Sequence, residues 1–323
     1  MKRQWFLLGF LLMASMICLM LGMIFGSKSL SLESFNLYLQ GRASTYETLV
    51  FDVRWPRTLA ALVCGAALGL SGALMQCLTR NPLADPGLLG VNAGAAAAVV
   101  ASVFMPSVMI ADLWFALPGA LLIATIVCVL GMGDDRDDLT RLILVGAAIS
   151  ASLYAFIQMV TQWYPTIFDH YRFWSSGSLT NTSSDQLYML VPVMIIVSLF
   201  ALLLGKFMNV LALGKSTAQS LGMYIIWVQA IILLVVSILS ASTVALIGPV
   251  SFIGLGAAHI ARFLVGQDYR FVLPASLLMG GLLLVMADIL ARVIIAPSEV
   301  ATGIVTALLG APLLYCLMMK KRR

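Results

Sequence analysis

Residues 225–247 read IIWVQAIILLVVSILSASTVALI, without one Asp, Glu, Lys or Arg. A helix of about 20 apolar residues crosses the roughly 30 Å hydrocarbon core of a bilayer. Hydrocarbon also forces such a segment to satisfy its own backbone, which a helix does. Nine other apolar runs can be placed around it, at about 5–25, 57–76, 87–110, 113–132, 140–162, 187–206, 250–266, 272–296 and 300–319. The sequence therefore predicts an all-α integral membrane protein, a polytopic bundle of about ten transmembrane helices forming a single domain over residues 1–323.

Composition agrees. The 323 residues are 61% hydrophobic and 10% charged, with a mean hydropathy of +1.02. Ten spans use about 200 residues and leave loops, not a second domain. Met1-Lys2-Arg3 before the 5–25 run has the look of a secretory leader, but the run is long and the site at Gly26-Ser27-Lys28 is poor; it reads as a retained first span. The net charge of +5 fits basic residues gathered at cytoplasmic ends and does not call for nucleic acid.

An even number of spans puts both termini on one side. Of 19 lysines and arginines, 13 then fall on the face that carries the termini; Lys28, Arg42, Arg54, Arg57, Arg172 and Arg292 fall on the other. The basic excess predicts cytoplasmic termini, an external segment at 162–185 and an internal one at 206–223. The external segment is rich in Trp and Tyr, suited to an interfacial belt, and has room for a short surface helix.

Small-residue pairs four apart, Gly65 with Gly69 and Gly90 with Gly94, predict close helix packing, with the second and third spans inside the bundle. Asp85-Pro86 can open the third span, Asp as a cap and Pro in the first turn, and Asn81-Pro82 offers a similar start.

Catalytic signatures are weak. Gly214-Lys215-Ser216 imitates the end of a phosphate-binding loop, but residue 209 is Asn where that loop needs Gly. Asp134, Asp135, Asp137 and Asp138 around Arg136 read as a solvated loop. Cys18, Cys64, Cys77, Cys128 and Cys316 are scattered singly, and neither His170 nor His259 has partners at ligand spacing, so no metal site is expected. Asp288 and Arg292, four apart on one helix face, read as an intrahelical ion pair or as an outward-facing arginine. Few other ionisable residues lie within spans, which weighs against a proton relay.

The runs Arg54-Trp55-Pro56-Arg57-Thr58-Leu59-Ala60, Gly72-Ala73-Leu74-Met75-Gln76 and Asn81-Pro82-Leu83-Ala84-Asp85-Pro86-Gly87-Leu88-Leu89-Gly90 resemble the FecCD family of permeases, which serve ABC importers of iron-siderophores, haem and cobalamin. The resemblance continues through Arg172-Phe173-Trp174, Gly177-Ser178-Leu179 and on to Pro312. It departs at Ala258-His259, where the family commonly has Pro before the histidine, and at Asp268-Tyr269-Arg270, where it has Asp-His-Arg.

What the resemblance implies is a type II ABC importer permease in the bacterial inner membrane. It would not itself be an enzyme: ATP is bound and hydrolysed by a partner ATPase dimer, and the chain needs no cofactor. Its other implied partners are membrane lipid, a second permease copy or paralogue, and a periplasmic or lipid-anchored substrate-binding protein. Residues 207–223 are similar to the family's coupling loop, with Leu213, Gly214, Lys215, Ala218, Leu221 and Gly222 set against the ATPase. Arg54, Arg57 and Arg292 match positions that receive glutamates of the binding protein. Asn81, Pro82, Asp85, Pro86 and Gly90 form the family-signature loop. Ferric siderophore is the expected cargo; haem, cobalamin and an ion-coupled secondary transporter are the alternatives.

Overall fold

The structure is a computed structural model, and it describes residues 2–26, 30–104, 113–132, 138–180 and 182–320. Lys28, the acidic residues 134, 135 and 137 with Arg136, and the basic tail from residue 321 lie outside the described residues. The helices are α1 (Lys2–Ile24), α2 (Leu32–Leu39), α3 (Thr45–Thr79), α4 (Val91–Ala101), α5 (Leu113–Gly131), α6 (Asp138–Trp163), α7 (Pro165–Ser175), α8 (Ser184–Leu203), α9 (Gly205–Ala212), α10 (Lys215–Ser220), α11 (Ile225–Ile247), α12 (Ile253–Val265), α13 (Tyr269–Val293) and α14 (Thr302–Lys320).

Each expected apolar run holds one helix, but the runs are not equal. Among the described residues, seven helices are long and apolar enough to cross a membrane: α1, α3, α5, α6, α8, α11 and α13. α4, with 11 residues, and α12 are shorter. α12 has 13 residues, about 20 Å of rise, because its run begins with chain that is not helical and its N-cap Phe252 sits at φ +69°.

The 35 residues of α3, about 50 Å long, form the axis. Its hydrophobic window is 78% buried, as is that of α11, against 17% for α6. Glycine explains the density. A Cβ on Gly65 would stand 2.3 Å from the Gly280 carbonyl oxygen, and one on Gly69 would stand 2.2 Å from that of Ser276. α3 and α13 thus touch backbone to backbone, the arrangement that gains dispersion contacts where lipid offers no hydrophobic drive between helices. Gly72 meets the Gly254 carbonyl of α12 in the same way. Gly94 packs on Gly119 of α5, whereas Gly90 serves as a left-handed cap at φ +74° and belongs to a turn, not to the stripe. Large apolar side chains turn outward instead, such as Phe6, Phe10 and Met13 of α1.

α3 begins earlier than its apolar run. Ser44 accepts from the Glu47 amide at 3.3 Å while Glu47 accepts from the Ser44 amide at 2.9 Å, a capping box that starts the helix at Thr45. Arg54, Pro56 and Arg57 therefore sit within α3, not at its mouth. α7 is the short helix expected in 162–185.

Candidate functional site

Two ends of the bundle hold the polar chemistry. At one, α1 and α13 begin, α3 and α12 finish, and α9 and α10 cap the structure: Gln4 donates to the Val265 carbonyl at 2.9 Å and Trp5 stands edge-on to Phe271. At the other lie α2, α7 and the α13–α14 turn.

α9 is amphipathic and clamped. Met208 and Leu211 are buried, Phe207 is exposed, and Gly205 lets the chain pass within 3.1 Å of the Arg270 Cα for a built Cβ. Asn209 ties it down twice: its amide donates to Asp268 Oδ1 at 2.7 Å, and its oxygen accepts from the Tyr269 amide at 2.8 Å. Asp268 is also the N-cap of α13, accepting from the Arg270 amide at 3.0 Å. The Arg270 side chain beside it, then Asn209, hold the Asp268 carboxyl below the usual carboxylate range against the opposing effect of burial. α9 and α13 are therefore joined through one charged cap.

Gly214, Ala218 and Gly222, four apart in sequence, do not share a face of α10. Ala218 is wholly buried against its own chain, while Gly214 (φ +125°) and Gly222 (φ +81°) lie outside the helix, before its start and after its end. Two glycines eight apart serve backbone conformations closed to other residues, not close approach. Its exposed large apolar side chains are Leu213, at 66%, and Leu221, at 64%; Gly222 is also exposed, and Lys215 is half-buried. Leu221, Gly222, Tyr224 and Trp227 line an open groove of about 660 Å³ with Lys206 and Phe207.

Next to it runs the signature loop. Asn81 accepts from the Leu83 amide at 3.0 Å, and Asp85 accepts from the Gly87 amide at 2.8 Å. Asp85-Pro86 opens a single 3₁₀ turn, Pro86–Leu89, and Gly90 then redirects the chain into α4. Arg80 caps α3 in the left-handed region at φ +49° and donates to the Leu211 carbonyl of α9 at 3.2 Å.

At the other end, Arg54, Arg57 and Arg292 come together, but they do not project. They are 7%, 8% and 1% exposed. Arg57 binds Asp288 Oδ1 through Nε (2.9 Å) and Nη2 (2.8 Å) and reaches Glu299 at 2.5 Å. Arg292 binds the other oxygen of Asp288, the Gly22 carbonyl (2.9 Å) and Thr58 (3.3 Å). Arg54 donates to the Met23 and Ile24 carbonyls, both at 3.0 Å. The arginines expected to receive a binding protein's glutamates are thus already partnered within the chain: a guanidinium inside the bundle must keep carboxylate and carbonyl partners, because an unpaired buried charge is costly. Of these partners the sequence pointed only to Asp288.

His259 is half-buried on α12, Arg172 pairs with Asp169 at 3.4 Å on α7, and Cys18, Cys64, Cys77 and Cys128 are free thiols. Among the described residues no three His, Cys, Asp or Glu are grouped to hold a metal ion.

Comparison with known proteins places this architecture. The chain is 43% identical over 320 residues, 97% of its length and 95% of the relative's, to the ferric enterobactin transport system permease protein FepD of Escherichia coli (strain K12). It is 39% identical over 284 residues, covering 87% of this chain and 85% of the relative, to the probable siderophore transport system permease protein YfiZ of Bacillus subtilis (strain 168). A solved structure described as an inward-facing ABC transporter of metal-chelate type superposes with a TM-score of 0.84, at 27% identity, over 98% of this chain and 99% of that one. The sequence model of the FecCD transport family matches residues 12–320, and the chain belongs to that family.

Proposed function

We propose that this protein is the transmembrane permease subunit of an ATP-binding-cassette importer that carries ferric siderophore across the bacterial inner membrane. The observation that carries the reading is the end-to-end similarity to FepD, whose name is that of a ferric enterobactin permease. YfiZ, also named for siderophore transport, supports the same cargo over haem or cobalamin.

In this reading the α9/α10 end is cytoplasmic, as are both termini, and meets an ATPase dimer through the exposed residues of 207–223. ATP-driven closure of that dimer favours one permease conformation only through contacts that differ between the two states. α9 is suited to pass the motion on, because Asn209 fastens it to the start of α13, and α13 packs on α3 through glycine. A second copy or a paralogue completes the path. At the far end a substrate-binding protein docks. An acidic side chain of that protein would reach Arg57 by taking the place of Glu299, which is 26% exposed, since Asp288, 1% exposed, holds the inner side of the same guanidinium.

Uptake of radiolabelled ferric enterobactin and ferric hydroxamate by cells with and without the gene tests the reading. Uptake should depend on this chain and on a catalytically intact ATPase, and should survive collapse of the proton gradient. Uptake lost with the gradient but kept with a dead ATPase would refute it. A cysteine at Ser216 in a cysteine-free background should resist impermeant thiol reagents in intact cells; labelling from outside would invert the orientation.

A further inference from the structure

Behind the coupling segment, where α3 and α12 end and α13 begins, lies a polar pocket of about 260 Å³ lined by Gln76, Cys77, Arg80, Arg262, Gln267 and Tyr269. Two guanidiniums face it, one from α3 and one from α12. Arg262 donates to Gln76 Oε1 and lies against the Tyr269 hydroxyl. Arg80, held in its left-handed cap, donates to the Leu211 carbonyl at 3.2 Å. Among the described residues neither arginine is in an ion pair, so two positive charges share one cavity with neutral partners. The contrast with the opposite end, where Asp288 and Glu299 sit among three arginines, is sharp.

We propose that this pocket is a binding site for a phosphate group, either inorganic phosphate or the headgroup of an anionic phospholipid. A carboxylate is planar and suits one guanidinium fork. A phosphate is tetrahedral and can accept from two forks and a hydroxyl at once, and Arg80, Arg262 and Tyr269 line the pocket with that donor set. The volume admits a phosphate with its ester carbons. Because Arg80 also holds the last turn of α9, a bound phosphate would fix the base of the coupling segment. The site stands on the pocket geometry and not on the transport reading, so binding can be tested on the purified chain alone.

The test is native mass spectrometry of the full chain taken from neutral detergent with equal phosphatidylglycerol and phosphatidylcholine, together with thermal shifts in excess inorganic phosphate. Wild type should retain phosphatidylglycerol in preference. Arg80→Gln and Arg262→Gln should each weaken retention about tenfold, the loss of one or two charge-assisted bonds, while Lys2→Gln, a charge control elsewhere at the same end, should not. Displacement of the lipid by inorganic phosphate would assign the site to phosphate of either source; retention against it would assign the site to lipid. Equal retention by wild type and both variants, with no phosphate-induced shift, overturns the proposal. So does ATPase association that depends on Arg80 when neither lipid nor phosphate binds, which would make the ligand a partner carboxylate. Arg80 is exposed, so its variant carries the test even if Arg262→Gln fails to fold.

Discussion

Asp288 takes both Nε and Nη2 of Arg57 on a single carboxylate oxygen, at 2.9 and 2.8 Å, with its other oxygen on Arg292. Residues of α3 and α13 are thereby locked at one end of the helix pair that glycine brings together lower down. Asp288→Ala should destabilise the protein by about 3–5 kcal/mol, because it strands two buried guanidiniums. Glu299→Gln, at a residue 26% exposed, should cost about 0–1 kcal/mol. Thermal inactivation in detergent ranks the two; equal losses would mean that Asp288 is not the centre of the network.

Gly69 tests the helix contact itself. A Cβ there meets the Ser276 carbonyl oxygen at 2.2 Å, and a backbone atom in a packed helix cannot step aside, so Gly69→Ala should separate α3 from α13. Overpacking of this kind costs about 1–3 kcal/mol or more, and it should appear as reduced abundance in the membrane. Gly9→Ala on α1, with nothing within 4 Å, should be silent.

Hydropathy made the spans legible because lipid writes directly into composition: α11 carries no charge, and its run and helix coincide at 225–247. The glycines Gly65 and Gly69 were legible for the same reason, since four-residue spacing of small side chains has one strong use in a membrane. α2 and the first turns of α3 were not, because Glu47 and Asp52 break the apolar pattern there, although Ser44 and Glu47 spell a capping box. The arginine cluster was legible only within one helix. Asp288 and Arg292 are four apart, but Arg57 is 231 residues from Asp288 and 242 from Glu299, and no local period connects residues so distant. The positive φ of Gly214 and Gly222 was not legible, because spacing shows which residues are small without showing which need such a backbone.

The Asn209–Asp268 clamp carries a pH signature. The depressed Asp268 carboxyl stabilises the fold at every pH above the unfolded value of about 3.9, and that contribution disappears as pH falls through the lower folded value. Acidification from neutrality to about pH 5 should therefore leave the clamp intact. Asp268→Ala should release it at any pH, costing about 1 kcal/mol as a lost cap. Amide exchange in α9 should rise in Asp268→Ala and in Asn209→Ala alike, with the double variant little worse than either, since both remove one connection. Additive increases would separate the two residues.

Coupling should depend on the side chains that α9 and α10 present, not on the small ones inside. Leu213 and Leu221 are 66% and 64% exposed, large and apolar, and a partner that buries them gains about 1.5–3 kcal/mol for each. Leu213→Asp and Leu221→Asp should leave the permease folded and abundant, since neither side chain supports its own core, while co-purification of the ATPase and ATP-dependent uptake fall together. Ala218→Trp should behave differently. Its Cβ is buried and its carbonyl accepts from the Met223 amide at 3.0 Å, so a bulky residue there dismantles α10 and lowers abundance before it affects coupling. Gly222→Ala meets no neighbour within 4 Å but must hold φ +81°, a strain of about 1 kcal/mol, and should reduce coupling only modestly. If Leu213→Asp and Leu221→Asp both retained the ATPase and full uptake, the exposed face of α9 and α10 would not be the contact.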